Sequence, residues 1–138
     1  MIVGGSMSVP ISVSVSNTVT SAAKLIARRL LVVEDEFIIA SMIADQLAEL
    51  GHIVVGPACS IEEAIQLATT AKLDGALLDW SLDGNSVGEV ADVLAARGIP
   101  FLFMTGYNKI PDRSYAKIAI LGKPFQMDEL QRAIESAL

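Results

Sequence analysis

The sequence has little of several residue types on which common kinds of functional site depend. It contains one cysteine, Cys59, and one histidine, His52, in 138 residues. A single cysteine rules out a disulfide within the chain, and one cysteine with one histidine supplies too few ligands for a typical zinc site. No run of about 18 uncharged apolar residues is present, so the sequence predicts no membrane-spanning helix and no membrane partner.

Acidic residues are missing from one part of the chain. Residues 1–29 contain Lys24, Arg28 and Arg29 and no acid, so the net charge of −6 for the whole chain leaves −9 for residues 30–138. A domain of that charge repels the phosphates of nucleic acids. We therefore expect no nucleic-acid partner, and we expect a cation or a basic protein surface instead.

Residues 1–28 differ in pattern from the rest, and we predict that they form an N-terminal extension ahead of a domain at residues 29–138. Serine alternates there with the apolar residues Val9, Ile11, Val13 and Val15, which is the periodicity of a strand. The segment lacks the basic start and the continuous apolar run of a signal peptide. Two interpretations remain open: a loosely ordered extension, or an arm that pairs with a sheet edge and could join two copies as a homodimer.

From Leu30 onward, short apolar segments alternate with helical patterns. The five predicted strands are "LLVV" (30–33), "HIVVG" (52–56), "GALLDW" (75–80), "IPFLFMTG" (99–106) and "IAIL" (118–121). Strands that are apolar on both faces and alternate with helices predict a parallel sheet that is covered on both sides. The fold class is therefore α/β, a flavodoxin-like doubly wound sheet of five strands in the order 2-1-3-4-5 with helices on both faces. Pro111 makes the fourth helix short or irregular.

Polar residues follow these strands at one edge of the sheet, where ligands bind in folds of this kind. They are Glu34, Asp35 and Glu36 after the first strand, Asp79 at the third, Thr105 at the fourth and Lys123 after the fifth. Two carboxylates about 5 Å apart repel each other by roughly 3 kcal/mol at an effective dielectric constant near 20, so a cation would stabilise the cluster. Oxygen ligands without histidine or cysteine favour Mg²⁺, or Mn²⁺, over zinc.

The segments "LLVVEDE", "LLDW", "FLFMTG" and "LGKPF", in this order and spacing, resemble the response-regulator receiver domain of two-component signalling. The resemblance covers nearly all of the chain after the N-terminal extension. It implies that Asp79 is the phosphoacceptor, that Asp79, Asp35 and the backbone carbonyl of Ser81 bind Mg²⁺, and that Glu34 acts on the metal through water. Trp80 is unusually bulky beside a phosphoacceptor, and we expect it to restrict access to the site.

The resemblance also assigns residues to the phosphoryl group and shows a departure from the usual pattern. Thr105 would donate a hydrogen bond to that group, Lys123 would pair with it, and the Lys123–Pro124 bond would be cis. The aromatic residue that usually stands three positions before the lysine, and that turns inward on activation, is replaced by Ile120. The stretch "FMTGY" resembles the Phe-x-Thr-Gly-Tyr motif of a subclass of stand-alone receivers best known from alphaproteobacteria. Tyr107 is therefore our candidate for the missing switch aromatic, the alternative being a tyrosine that packs on the surface.

The resemblance implies a cytoplasmic single-domain response regulator that takes a phosphoryl group on Asp79 from a sensor histidine kinase or a histidine phosphotransferase. It would signal to a downstream protein through contacts, and it would catalyse only its own phosphorylation and dephosphorylation. One alternative is a degenerate receiver that acts only as a protein-binding module, which the missing aromatic favours. Another is an aspartyl phosphatase of the haloacid-dehalogenase type, which needs a second aspartate two residues after the nucleophile, where Ser81 stands.

Overall fold

The computed structural model describes residues 26–80, 87–106 and 115–138. Several sequence-based predictions lie outside these residues, among them the N-terminal arm, the carbonyl of Ser81, and Tyr107. Most of the stretch predicted to hold a short fourth helix also lies outside them. In the described part of the chain, no helix is both long enough and apolar enough to span a lipid bilayer.

Five strands form one parallel sheet in the order β2-β1-β3-β4-β5, which confirms the predicted topology. The strands are β1 (Arg29–Val33), β2 (Ile53–Ala58), β3 (Gly75–Asp79), β4 (Phe101–Thr105) and β5 (Ile120–Gly122). The helices in the described residues are α1 (Phe37–Glu49), α2 (Ile61–Thr70), α3 (Gly88–Ala96) and α4 (Met127–Ala137). Every predicted strand is therefore present, with bounds that differ by a few residues.

Two apolar layers cover the two faces of this sheet. Successive side chains of a strand point to opposite faces. In β1, Leu31 and Val33 accordingly pack in the layer that includes α2 and α3, and Leu30 and Val32 pack in the layer that includes α1 and α4. All four side chains are fully buried. Burial of such a side chain contributes roughly 1.5–3 kcal/mol, so β1 holds its carboxyl end firmly in the middle of the sheet.

Local capping explains where some of the helices begin. Ser60 precedes α2, and its side chain accepts a hydrogen bond of 3.2 Å from the backbone N–H of Glu63, the arrangement that a Ser-x-x-Glu sequence favours at the start of a helix. Gln126 and Glu129 form a reciprocal capping box at the start of α4. Ser86, which with Glu89 repeats the Ser-x-x-Glu sequence, lies outside the described residues. The residue before α3 is Val87, which makes no side-chain capping bond.

The single histidine has a structural position. His52 is 6% exposed, and its Nδ1 accepts a hydrogen bond of 3.1 Å from the backbone N–H of Arg28. Because Nδ1 accepts, Nε2 carries the proton and donates to Oε1 of Gln131 at 3.2 Å. The ring thus connects the start of β1 to α4 near the amino ends of the strands, whereas the acidic residues lie at the carboxyl ends.

Gly56 allows a close approach between β2 and β1 beneath the first acidic residue. Its φ angle is +94°, and a Cβ atom there would lie 2.7 Å from the backbone N of Ala58 and 3.2 Å from the backbone O of Val32. The carbonyl of Ala58 in turn accepts a hydrogen bond of 3.0 Å from the backbone N–H of Glu34. A side chain at position 56 would therefore disturb the backbone that places Glu34.

We expect Gly56→Ala to lower the free energy of unfolding more than Gly51→Ala does. Gly51 has a similar φ angle of +93° but nothing within 4 Å of an added Cβ, so only the backbone strain of about 1–2 kcal/mol applies there. The steric clash at Gly56 should add about 1–3 kcal/mol. Urea denaturation of both variants measures the difference, and equal losses would show that the contact with Ala58 and Val32 relaxes without cost.

Candidate functional site

The carboxyl ends of four strands bring the predicted polar residues together. Glu34 directly follows β1, Asp79 ends β3, Thr105 ends β4, and Lys123 directly follows β5. Glu34, Asp79 and Thr105 are 0%, 2% and 6% exposed, which is unusual for such side chains at a strand end. Because the strands are parallel, these ends meet at one edge of the sheet.

Three carboxylates at this edge of the sheet form a compact cluster. Glu34, Asp35 and Asp79 each offer an oxygen atom, and the three oxygens all lie within 4.8 Å of one another. Asp35 is the least buried of the three, and it lines a groove that opens to solvent. A set of carboxylate oxygens at this spacing suits a hard divalent cation such as Mg²⁺ or Mn²⁺. The donor chemistry therefore fits the predicted metal.

Lys123 brings a positive charge to this cluster. Its Nζ lies 2.9 Å from Oε1 of Glu34 and 3.4 Å from Oδ1 of Asp79, and its side chain is 15% exposed. The backbone N–H of Lys123 donates to the carbonyl of Thr105 at 2.8 Å, which fixes the end of β5 against β4. The Lys123–Pro124 bond is cis, which confirms the expectation from the sequence. One ammonium group thus faces two buried carboxylates.

The surroundings of Glu34 and Lys123 shift the pKa values of both groups. Burial, with a smaller contribution from the charge of Asp79, raises the pKa of Glu34 to about 7 and outweighs the hydrogen bond from Lys123. Burial alone would lower the pKa of Lys123, but the hydrogen bond to Glu34 and the charge of Asp79 raise it above its ordinary value. The lysine therefore keeps its charge near neutral pH, and Glu34 is the group that takes up a proton.

The backbone at the start of α1 also holds Glu34. The N–H of Glu36 donates a hydrogen bond of 3.2 Å to Oε2 of Glu34, while Lys123 binds Oε1. Both oxygens of this carboxylate therefore have protein donors. Asp35 is less buried than Glu34 and lines the groove.

A groove of about 590 Å³ opens beside the carboxylates. One part of its wall is polar and contains Asp35, Asp79 and Lys123. The rest is largely apolar, formed by side chains of α1 and of the connection to α4: Ile39, Met42, Ile43, Pro124 and Phe125. The groove is large enough for a small phosphorylated compound or for the side chain of a docked protein.

The expectation that Trp80 restricts access to the site is wrong. Trp80 does not line the groove. Its ring lies on the opposite face of the sheet, where it packs against Phe103 at 5.1 Å and Tyr115 at 6.0 Å. Ile120, in the place of the usual switch aromatic, is 46% exposed on the edge strand β5. Tyr115 was not singled out from the sequence, since nothing local distinguishes it and only the folded chain brings it to Trp80.

Glu34 makes the stability of the metal-free protein depend on pH. Its pKa is about 7 in the folded protein against an ordinary value of 4.5, so its contribution is fully present below pH 4.5 and is lost as the pH rises through about 7. We expect the free energy of unfolding to fall by up to about 3 kcal/mol over that interval, measured by urea denaturation in the presence of a chelator. Glu34→Gln should lack this fall, and Glu62→Gln, at an exposed acid of α2, should keep it. A wild-type pH profile in Glu34→Gln would contradict the assignment.

Comparison with known proteins agrees with this geometry. Residues 30–135 match the family model of the response regulator receiver domain. The chain is 32% identical over 124 residues to the transcriptional regulatory protein PdtaR of Mycobacterium tuberculosis, an alignment that covers 86% of this chain and 60% of PdtaR. The chain spans about half the length of the curated relatives that it matches.

Three solved structures show the same likeness over nearly their whole length. The solution structure of SdrG from Sphingomonas melonis Fr1 is 36% identical with a TM-score of 0.70, covering 80% of this chain and 94% of SdrG. A BeF₃-activated conformation of SdrG is also known, at 37% identity and a TM-score of 0.67, covering 77% and 92%. The receiver domain of the sensor histidine kinase PA1611 from Pseudomonas aeruginosa PAO1 holds a magnesium ion in its active site cleft. It is 25% identical with a TM-score of 0.70, covering 80% of this chain and 97% of that one. Since the family match takes in all five strands and every described residue of the acidic edge, the chain belongs to the response-regulator receiver domain family.

Proposed function

We propose that this receiver domain is a Mg²⁺-dependent phosphoryl acceptor, with Asp79 as the residue that is phosphorylated. The observation that carries the proposal is the position of Asp79. Its carboxylate is 2% exposed, lies in a cluster with Glu34 and Asp35, and has the ammonium group of Lys123 at 3.4 Å while still lining the groove. A buried carboxylate that remains open to a groove and is flanked by a cation suits nucleophilic attack.

The proposed step transfers a phosphoryl group from a phosphohistidine to Asp79. An oxygen of the Asp79 carboxylate attacks phosphorus, the P–N bond to the donor histidine breaks, and an aspartyl phosphate forms. Attack of one anion on another needs nearby positive charge, and Lys123 supplies part of it. Thr105, at the end of β4, would donate its hydroxyl to a phosphoryl oxygen. An acyl phosphate could replace the phosphohistidine as a small phosphodonor; its P–O bond would then break and a carboxylate would leave.

A bound Mg²⁺ ion would supply further positive charge for the phosphoryl oxygens. Asp35 and Asp79 would hold it directly and Glu34 through water; Ser81, the third predicted ligand, lies outside the described residues. The magnesium ion in the PA1611 receiver domain and the BeF₃-activated conformation of SdrG support carrying both parts of the proposal to this chain. We infer that the donor is a sensor histidine kinase or a histidine phosphotransferase in a cytoplasmic phosphorelay.

Output would then pass through contacts with a downstream protein. The net charge of −9 over residues 30–138 disfavours nucleic acid as the partner. We propose no catalytic activity beyond phosphorylation and dephosphorylation of Asp79. The homodimer through the N-terminal arm stays a prediction, because residues 1–25 lie outside the described residues.

A second candidate function is a degenerate receiver that acts only as a protein-binding module. The observation in its favour is Ile120, which replaces the usual aromatic residue and is 46% exposed. The compact carboxylate cluster and its lysine favour the phosphoryl acceptor over the binding module.

Incubation with Mg²⁺ and a small phosphodonor should add one phosphoryl group to the wild-type protein, as measured by intact mass. Asp79→Asn should abolish the addition, because the amide nitrogen cannot act as the nucleophile. Asp45→Asn, at an exposed aspartate of α1, is the matched control and should leave the addition unchanged. If neither a small donor nor a phosphorylated histidine protein modifies the wild type, the binding module is the better description.

The affinity for Mg²⁺ should fall when the pH is lowered through 7. Glu34 has a pKa of about 7, and a proton on this carboxylate opposes metal binding at the cluster. We expect Kd to rise about tenfold between about pH 8 and about pH 6, measured by calorimetry. Glu34→Gln should weaken binding at the higher pH and flatten the dependence. A Kd for the wild type that is constant over this interval would show that protonation of Glu34 is not coupled to metal binding.

A further inference from the structure

Tyr115 completes a cluster of three aromatic rings beside the proposed phosphoacceptor. The ring centroids are 6.0 Å apart for Tyr115 and Trp80, 5.2 Å for Tyr115 and Phe103, and 5.1 Å for Trp80 and Phe103. The interplanar angles lie between 72° and 79°, so each pair has the edge-to-face arrangement that aromatic rings prefer. Phe103 is fully buried in β4, and it provides a fixed base for the other two rings.

The hydroxyl group of Tyr115 reaches a second element. It donates to the backbone carbonyl of Gly88, the first residue of α3, at 3.5 Å. Trp80 directly follows Asp79, and Gly88 begins the next helix along the chain. Tyr115 therefore contacts both the residue that follows β3 and the first residue of α3.

Trp80 is also tied to the fourth strand. Its backbone N–H donates a hydrogen bond of 2.9 Å to the carbonyl of Met104, the residue before Thr105. A displacement of Asp79 along or across the sheet must therefore move the Trp80 backbone or break this bond. The indole ring would pass such a displacement directly to Tyr115, because the two rings are in contact.

We propose that Tyr115 is a positioning residue for the Asp79 site: it holds Trp80 and the start of α3 in a fixed relation and transmits a change at Asp79 to α3. Its ring acts on Trp80 and its hydroxyl acts on Gly88. The transmission rests on the proposed function, because phosphorylation is the change that would be transmitted. The holding role depends only on the contacts of Tyr115.

The test uses the full chain with BeF₃⁻ and Mg²⁺ as the probe, because BeF₃⁻ mimics a phosphoryl group on a carboxylate. The backbone amide signals of Thr105 and Gly88 are followed by NMR before and after saturation. Tyr115→Phe removes the bond to Gly88 and keeps the ring, whereas Tyr115→Leu removes both contacts. Phe101→Leu is the matched control. Phe101 lies in the same layer, and its ring packs edge-to-face on Phe103 at 5.6 Å. Melting temperatures of the variants report any general loss of stability.

In wild type and Phe101→Leu, the signals of Thr105 and Gly88 should both shift. In Tyr115→Phe, Thr105 should keep its shift, while Gly88 should lose at least about half of its own, because the direct contact is gone. In Tyr115→Leu, we expect Gly88 to lose most of its shift and phosphorylation by a small donor to slow about two- to tenfold, the factor that corresponds to one aromatic pair.

Wild-type shifts of Gly88 in both Tyr115 variants, or an equal loss in Phe101→Leu, would overturn the proposal and leave Tyr115 as an ordinary core residue. If Thr105 of the wild type shows no response to the probe, the proposed function fails and the transmission fails with it. The spectra without probe then decide the holding role. Tyr115→Leu must shift both the Trp80 indole signal and Gly88, and each by more than Phe101→Leu does.

Discussion

Two buried carboxylates share one lysine at the carboxyl edge of the sheet, and the other features of the site follow from this arrangement. Lys123 lies 2.9 Å from Glu34 and 3.4 Å from Asp79, and both acids are almost wholly removed from solvent. Burial, together with the charge of Asp79, raises the pKa of Glu34 to about 7 even though Lys123 donates a hydrogen bond to this carboxylate. Three carboxylate oxygens within 4.8 Å of one another suit a divalent cation, and the more exposed Asp35 lines the groove.

The apolar sheet is what holds these charges in place. The four residues from Leu30 to Val33 are fully buried, with alternate side chains in the layers of α1 and α4 or of α2 and α3. Their burial favours the fold by more than the repulsion between the carboxylates opposes it. The close approach at Gly56 and the hydrogen bond from Glu34 to Ala58 then fix the backbone at the point where the buried strand ends.

Adjacent residues at the end of β3 serve opposite sides of the sheet. Asp79 lines the groove with Asp35 and Lys123, whereas Trp80 turns away and packs on Phe103 and Tyr115. This alternation separates the chemistry of the carboxylate from the packing of its neighbour. It also places Tyr115 where it contacts the residue after the phosphoacceptor as well as the first residue of α3.

Much of this could be predicted from the sequence, because strand and helix periodicity, the capping pattern at Ser60 and the polar residues after the strands are local signals. In a parallel sheet these signals already imply that Asp79, Thr105 and Lys123 meet at one edge. The choice of Glu34 as the partner of Lys123, its raised pKa, the direction of Trp80 and the position of Tyr115 could not be read in this way. Each depends on distances between residues far apart in the chain and on burial, and these quantities exist only once the layers have packed around the sheet.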